Sequence, residues 1–215
     1  MDRDDADTHL YTEQNMQRPV LTPFLTGHAA VFTARSPDKP TSNEDAAALI
    51  PFSDSSGILV VADGVGGYRA GEEAARCTLE ALRSALQDGA RDENMLRTAV
   101  LNGIENANRV VQELGVGAAT TLALVELRGS EMRPYHVGDS MILVAGQRGR
   151  VKSQTISHSP VGFAVEAGLL DEREALHHEA RHVVSNIVGT PEMRIEVGSV
   201  LALTLSTPFH KYSDV

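Results

Sequence analysis

Ile-Leu-Val-Val-Ala-Asp-Gly-Val-Gly-Gly-Tyr-Arg-Ala-Gly-Glu, residues 58–72, is the stretch on which the fold turns. Ile58–Ala62 is a short apolar run rich in β-branched side chains, the composition of a buried strand. It ends on an acid, Asp63, followed by Gly64, Gly66 and Gly67, and a helical pattern begins near Ala70. A carboxylate at the mouth of a buried strand supplies charge for a hard cation, and glycine lets a peptide carbonyl come close as a second oxygen ligand. The same residues also read as a plain strand-to-helix turn, because Asp-Gly is a common turn dipeptide.

Working outward, Glu44 and Asp45 stand directly before a second apolar run, Ala46–Phe52, and Ser53–Gly57 forms a turn into the central strand. Strand, turn and strand with acids at the open end predict an antiparallel hairpin. Further upstream, His28–Ala34 reads as a first strand, 35–43 as turn-forming, and 1–24 as a flexible extension, polar and without a period. Downstream, Ala75, Leu79, Leu82 and Leu86 make one helical stripe. Leu96, Val100, Ile104, Ala107, Val111 and Leu114 make a second. Strands are predicted over Ala118–Leu127, Glu131–Val137, Met141–Ala145 and Arg150–Ile156, broken helix over 160–187, and late strands at Arg194–Val197 and Val200–Leu205. Strands and helix pairs without βαβ alternation indicate an α+β fold with largely antiparallel sheets.

Composition narrows the classes. The 215 residues are 42% hydrophobic and 22% charged, enough for one globular domain with a sizeable core. A formal net charge of −10 argues against a nucleic-acid surface, which needs basic stripes. The single cysteine, Cys77, sits on the first helical stripe and fits a reducing compartment, with a small buried side chain as its expected role. No apolar run is long enough to cross a bilayer, and the first residues lack the basic and apolar regions of a signal peptide, so the expectation is a cytoplasmic protein without a membrane partner.

Acids recur at strand ends: Glu44, Asp45, Asp63, Asp139 in His-Val-Gly-Asp-Ser, and Asp214 near the end of the chain. Oxygen ligands without His or Cys among them select Mg²⁺ or Mn²⁺ over Zn²⁺. Two such ions can activate a water and clamp a phosphoryl group, so a metal-assisted phosphoester hydrolase is one physical reading, and a set of solvated turn acids is the other.

Four ordered blocks add to this: Asn43-Glu44-Asp45; Ala62-Asp63-Gly64-Val65-Gly66-Gly67 with Gly71-Glu72; Gly117-Ala118-Ala119-Thr120-Thr121; and Val137-Gly138-Asp139-Ser140. Together they resemble the metal-dependent protein phosphatase family (PPM, type 2C) in its bacterial form, from about residue 27 to about residue 205. Thr155-Ile156-Ser157-His158-Ser159 and the region of Gly168, His177 and Gly189 are similar to the family's middle section.

The resemblance implies an α-β-β-α sandwich over 25–215, serine/threonine phosphatase chemistry, two Mn²⁺ or Mg²⁺ ions, a phosphorylated protein as substrate, a cognate Ser/Thr kinase as possible partner, and a monomer. It implies Asp63 as the bridging metal ligand and Gly64 as a carbonyl ligand. Glu44 and Asp45 act near the metals, and Asp139 matches the acid of a further, weaker metal. Lys39 is a loose match to the family's phosphate-gripping cation, against a solvated loop lysine. Tyr68 stands where the family often has His, and Met141 where it often has Arg.

Asp214, in Ser-Asp-Val, falls where the family's Ser-Asp-Gly block would lie, but the apolar strand expected before it is replaced by residues 206–212 with Pro208. The expectation is therefore a domain incomplete at its C-terminus, with a frayed acid as the competing reading of Asp214 and a frameshifted tail as one account of 206–215. A catalytically impaired relative acting as a binding or regulatory module is the alternative function.

A separate motif, His178-Glu179-Ala180-Arg181-His182, fits the H-E-x-x-H pattern of zinc hydrolases, with Glu192 or Glu196 as third-ligand candidates.

Overall fold

A computed structural model describes residues 8–37, 41–65, 69–87, 92–115, 117–146 and 148–203. The hairpin predicted from the opening stretch is its centre. Strand β4 (Asp45–Pro51) pairs antiparallel with β5 (Ser56–Val65), with Asp45 opposite Asp63 and Ile50 opposite Ile58. The turn is closed by Ser53, whose hydroxyl accepts the Ser55 and Ser56 amides and donates to Glu93 at 2.8 Å.

The main sheet runs β1 (His9–Tyr11), β4, β5, β7 (Leu122–Arg128), β8 (Glu131–Val137), β11 (Glu196–Val197), all antiparallel. The short β6 (Ala119–Thr120) lies on β5 and β12 (Leu201–Ala202) on β8. The strand predicted over Ala118–Leu127 therefore divides. The Thr120 amide and carbonyl bond Val188, at 3.0 and 2.9 Å, instead of continuing one ladder.

Alternation sorts the side chains onto two faces. Ala46, Ala48, Ile50, Ile58, Val60, Ala62, Leu122 and Leu124 point to one side, where α1 (Arg69–Gln87) and α2 (Leu96–Leu114) bury Leu79, Leu82, Leu86, Val100, Ile104 and Val111. Both stripes read from the sequence are these buried faces. Cys77 is buried with them, and burial pushes its thiol pKa up.

On the opposite face, Ala47, Leu49 and Tyr11 pack against Phe24 and Val31 of the hairpin β2 (Val20–Phe24) and β3 (Gly27–Val31). A second hairpin, β9 (Leu143–Ala145) with β10 (Val151–Gln154), forms another two-stranded sheet. A cavity of about 490 Å³ lies along this face, lined by β3, β4, β5, β7 and Met141–Leu143. The result is an α+β sandwich.

Residues 9–11 and 20–24, expected within a flexible extension, are strands. Residues 9–11 are ordered by pairing to β4, far away in the chain, and residues 20–24 by their hairpin with β3 and by burial of Phe24 against Tyr11 and Leu49. Pro23 is tolerated because, among the described residues, β2 has a strand on one side only. Residues 206–215, Asp214 included, fall outside the described residues.

Candidate metal centre at the ends of β4 and β5

The end of β5 is held by backbone on both sides. The Asp63 carbonyl accepts the Thr121 amide at 2.9 Å and the Thr120 hydroxyl at 2.9 Å. The Asp63 amide donates to Thr121 Oγ1 at 3.1 Å, and the Gly64 amide donates to the Glu44 carbonyl at 3.1 Å. Both threonines are fully buried. The backbone of Asp63 is thus fixed while its side chain stays exposed.

On β4, Asn43 does comparable work. Buried, it donates from Nδ2 to the Gln14 carbonyl at 2.8 Å and to Thr33 Oγ1 at 2.6 Å, and its Oδ1 accepts the Asp45 amide at 3.2 Å. Asp45 and Asp63 then line one cleft of about 320 Å³ with Thr33, Ala34 and Ser140. Gly64 meets a packing demand. A Cβ there would lie 2.2 Å from the Gly71 carbonyl oxygen, so glycine lets the first turn of α1 sit on the strand.

Asp139 follows β8 in a turn that reaches this cleft through its neighbour. Ser140 Oγ lies 2.6 Å from Thr121 Oγ1, the atom that accepts the Asp63 amide. Gly138 has φ +107°, and a Cβ on it would strike Thr121 at 2.7 Å. Of the acids singled out in the sequence, Asp45 and Asp63 line the cleft. Glu44 is buried beside it and Asp139 is half-buried one residue from its wall. Lys39, Gly66, Gly67, Tyr68 and Asp214 lie outside the described residues.

The zinc-hydrolase reading of 178–182 does not hold. Glu179–His182 is one turn of 3-10 helix on the surface, and His178 caps it, with Nδ1 accepting the Ala180 amide at 3.1 Å. His182 Nε2 instead accepts from Arg181 Nε at 2.9 Å. The i, i+4 alignment that the motif needs exists only on an α-helix. Glu196, offered as a third ligand, is bonded to His158.

A cluster that the sequence did not reveal lies behind the Asp139 turn. His136 on β8, His158 and Glu196 on β11 gather there, with the two rings 4.4 Å apart. His136 is buried and, among the described residues, neither ring nitrogen has a hydrogen-bond partner. Burial, and after it the adjacent His158, holds its pKa below the usual histidine value. The pairing of β8 with β11 sets His136 opposite Glu196, and hydrogen bonds between His158 and Gly138 bring in the second ring. Both strands lie within predicted ones, but contacts between segments so far apart are not displayed in the sequence.

The family model described as Protein phosphatase 2C matches residues 37–190, well over half of the chain. The chain belongs to the protein phosphatase 2C family. A 2C-type phosphatase of Streptococcus pyogenes is 30% identical over 159 residues, an overlap that takes in 70% of this chain and 63% of the relative. The chain thus spans less than two thirds of that relative's length. Among solved structures, the serine/threonine phosphatase of S. agalactiae superposes with a TM-score of 0.68 at 26% identity, covering 91% of this chain and 75% of that one. The catalytic domain of the phosphatase PstP, solved in complex with 2 manganese ions, has the same fold, with a TM-score of 0.60 at 23% identity over 80% of this chain and 70% of that one. The matched region of this 2C-family chain contains both acids of the cleft and the Asp139 turn.

Proposed function

We propose that the protein is a metal-dependent serine/threonine protein phosphatase that hydrolyses phosphoserine and phosphothreonine esters. The carrying observation is the register that sets Asp45 opposite Asp63 at the wall of one cleft. Two carboxylates facing each other repel, and a divalent cation between them turns the repulsion into binding. The donors are hard oxygens, which suits Mn²⁺ or Mg²⁺. Asp63 would bridge two ions, Gly64 would offer its carbonyl, Asp45 would take part in holding them with Glu44 close by, and Asp139 would serve a further ion. Asp214 is the remaining ligand candidate from the family resemblance. When bound, such ions supply an activated water nucleophile and stabilise charge on the phosphoryl group.

The chain's own residues fix the geometry. Thr120 and Thr121 lock the Asp63 peptide, and Asn43 locks the Asp45 amide, so the backbone from which both carboxylates project is fixed. We place the protein in the cytoplasm, as a monomer, acting on phosphoproteins made by a Ser/Thr kinase. The lone cysteine supports a reducing compartment, and among the described residues no helix is long and apolar enough to cross a membrane.

A non-catalytic module of the same fold is the second reading, favoured by a cleft that is lined by just two acids among the described residues. The deciding experiment is hydrolysis of p-nitrophenyl phosphate with Mn²⁺ against chelator, beside Asp63→Asn. Mn²⁺-dependent turnover that vanishes in the variant supports the phosphatase. A folded protein without turnover supports the binding module.

A further inference from the structure

The His136, His158 and Glu196 cluster has the spacing of a metal site, since one ligand atom from each lies within 4.8 Å of the others. Its hydrogen bonds argue for something else. His158 Nδ1 accepts the Gly138 amide at 3.1 Å, and Asn186 Nδ2 points at the same atom from 2.9 Å. The orientation of Asn186 is fixed, because Nδ2 also donates to the Arg194 carbonyl at 2.8 Å and Oδ1 accepts the Arg194 amide at 3.0 Å. Nδ1 is therefore the bare nitrogen. Nε2 carries the proton and donates it to Glu196 Oε2 at 2.8 Å. A nitrogen that holds a proton has no lone pair for a metal, and a metal-bound imidazole would present N–H, not an acceptor, to Gly138.

We propose that His158, its tautomer held by Glu196 and Asn186, is a positioning residue that sets the Gly138–Ser140 turn, and with it Asp139, against the end of β5. The clasp is double, because the His158 amide also donates to the Gly138 carbonyl at 2.8 Å. From there the path is continuous. The turn places Ser140 on Thr121, and Thr121 receives the Asp63 amide. His158 touches neither acid and acts only through this backbone. The inference deepens the phosphatase reading and rests on it, since Asp139 matters to function only where cations gather.

The test uses the full chain and two variants that separate the ring nitrogens. Asparagine places an oxygen near the position of Nδ1, and glutamine near that of Nε2. His158→Asn retains the acceptor for Gly138, and His158→Gln removes it. Gly138 amide exchange is read by NMR, and Mn²⁺ affinity by calorimetry, neither of which needs turnover. His158→Gln should speed Gly138 exchange at least ~10-fold and weaken Mn²⁺ binding by about 10-fold, as removal of a group that orients a metal ligand does, with His158→Asn near the parent.

Equal behaviour of the two variants, whether both like the parent or both impaired, overturns the proposal. Should His158→Gln fail to fold, Glu196→Ala at the half-exposed end of the pair replaces it, and unchanged Gly138 exchange there overturns the proposal equally. A parent that binds Mn²⁺ but hydrolyses nothing sinks the phosphatase reading alone. A parent that binds no Mn²⁺ also sinks that reading, and the positioning role is then decided by Gly138 exchange.

Discussion

Asp45 and Asp63 stand directly opposite one another across the β4–β5 ladder, at the one end of the sheet where both side chains reach a cleft. Every other pair in that ladder, from Ala46 with Ala62 to Pro51 with Gly57, is uncharged, so the ladder carries its charge at a single pair.

That pairing predicts opposite effects of one substitution on stability with and without cation. Like charges directly opposite cost about 0.2–1 kcal/mol, so Asp63→Asn in chelator should unfold at or slightly above the temperature of the parent. Excess Mn²⁺, at 100 times its dissociation constant, should stabilise the parent by about 2.7 kcal/mol through mass action and the variant hardly at all. Thermal unfolding in chelator and in Mn²⁺ measures both. A variant stabilised by Mn²⁺ as strongly as the parent would place the cation elsewhere.

The hairpin was legible because its information is local: two apolar runs, a serine-rich turn and acids at the open end. Both helices were legible from their stripes. Gly64 meets a packing demand beside its proposed ligand role, since its contact with Gly71 joins a strand to a helix start and that distance is invisible in sequence. The three residues of β1 carry no period, and their partner β4 is far away in the chain. β8 and β11 lie within predicted strands, and what the sequence hides is their pairing, which helps gather His136, His158 and Glu196.

Asn43 offers a test of how the acidic block is held. Replacing it with alanine strips partners from the buried Thr33 hydroxyl, the Gln14 carbonyl and the Asp45 amide at once. An unsatisfied buried polar group costs about 1–3 kcal/mol, so Asn43→Ala should lower the urea midpoint by that amount of stability. It should also weaken Mn²⁺ binding, because Asp45 loses its anchor. A midpoint within error of the parent would show that water replaces these bonds without loss.

Gly64→Ala should be the most damaging substitution near the cleft. Its Cβ would meet the Gly71 carbonyl group at 2.2–2.3 Å and the Glu44 carbonyl oxygen at 2.8 Å, all of it backbone that cannot rotate away. Gly103→Ala, where α2 crosses α1, meets mainly the Leu82 side chain at 3.0 Å and should cost less, about 1–3 kcal/mol as an overpacked core contact. Denaturant unfolding of both ranks them, and a Gly64→Ala protein as stable as Gly103→Ala would contradict the close packing of α1 on β5.

His136 gives the stability a pH dependence whose sign follows from its surroundings. Burial and the neighbouring His158 lower its pKa from the ordinary 6.5, so the folded protein keeps the ring neutral where the unfolded chain has already taken up a proton. In the window from that ordinary value down to the lowered one, the unfolded state binds more protons, and stability rises with pH. The contribution of His136 is therefore fully present above the ordinary value and lost progressively as the solution is acidified below it. His136→Leu, which cannot titrate and leaves no unpaired ring nitrogen, should flatten the dependence between about pH 7 and pH 5. Urea midpoints across that range are the measurement. If His136→Leu loses stability on acidification as steeply as the parent, the acid sensitivity belongs to other groups.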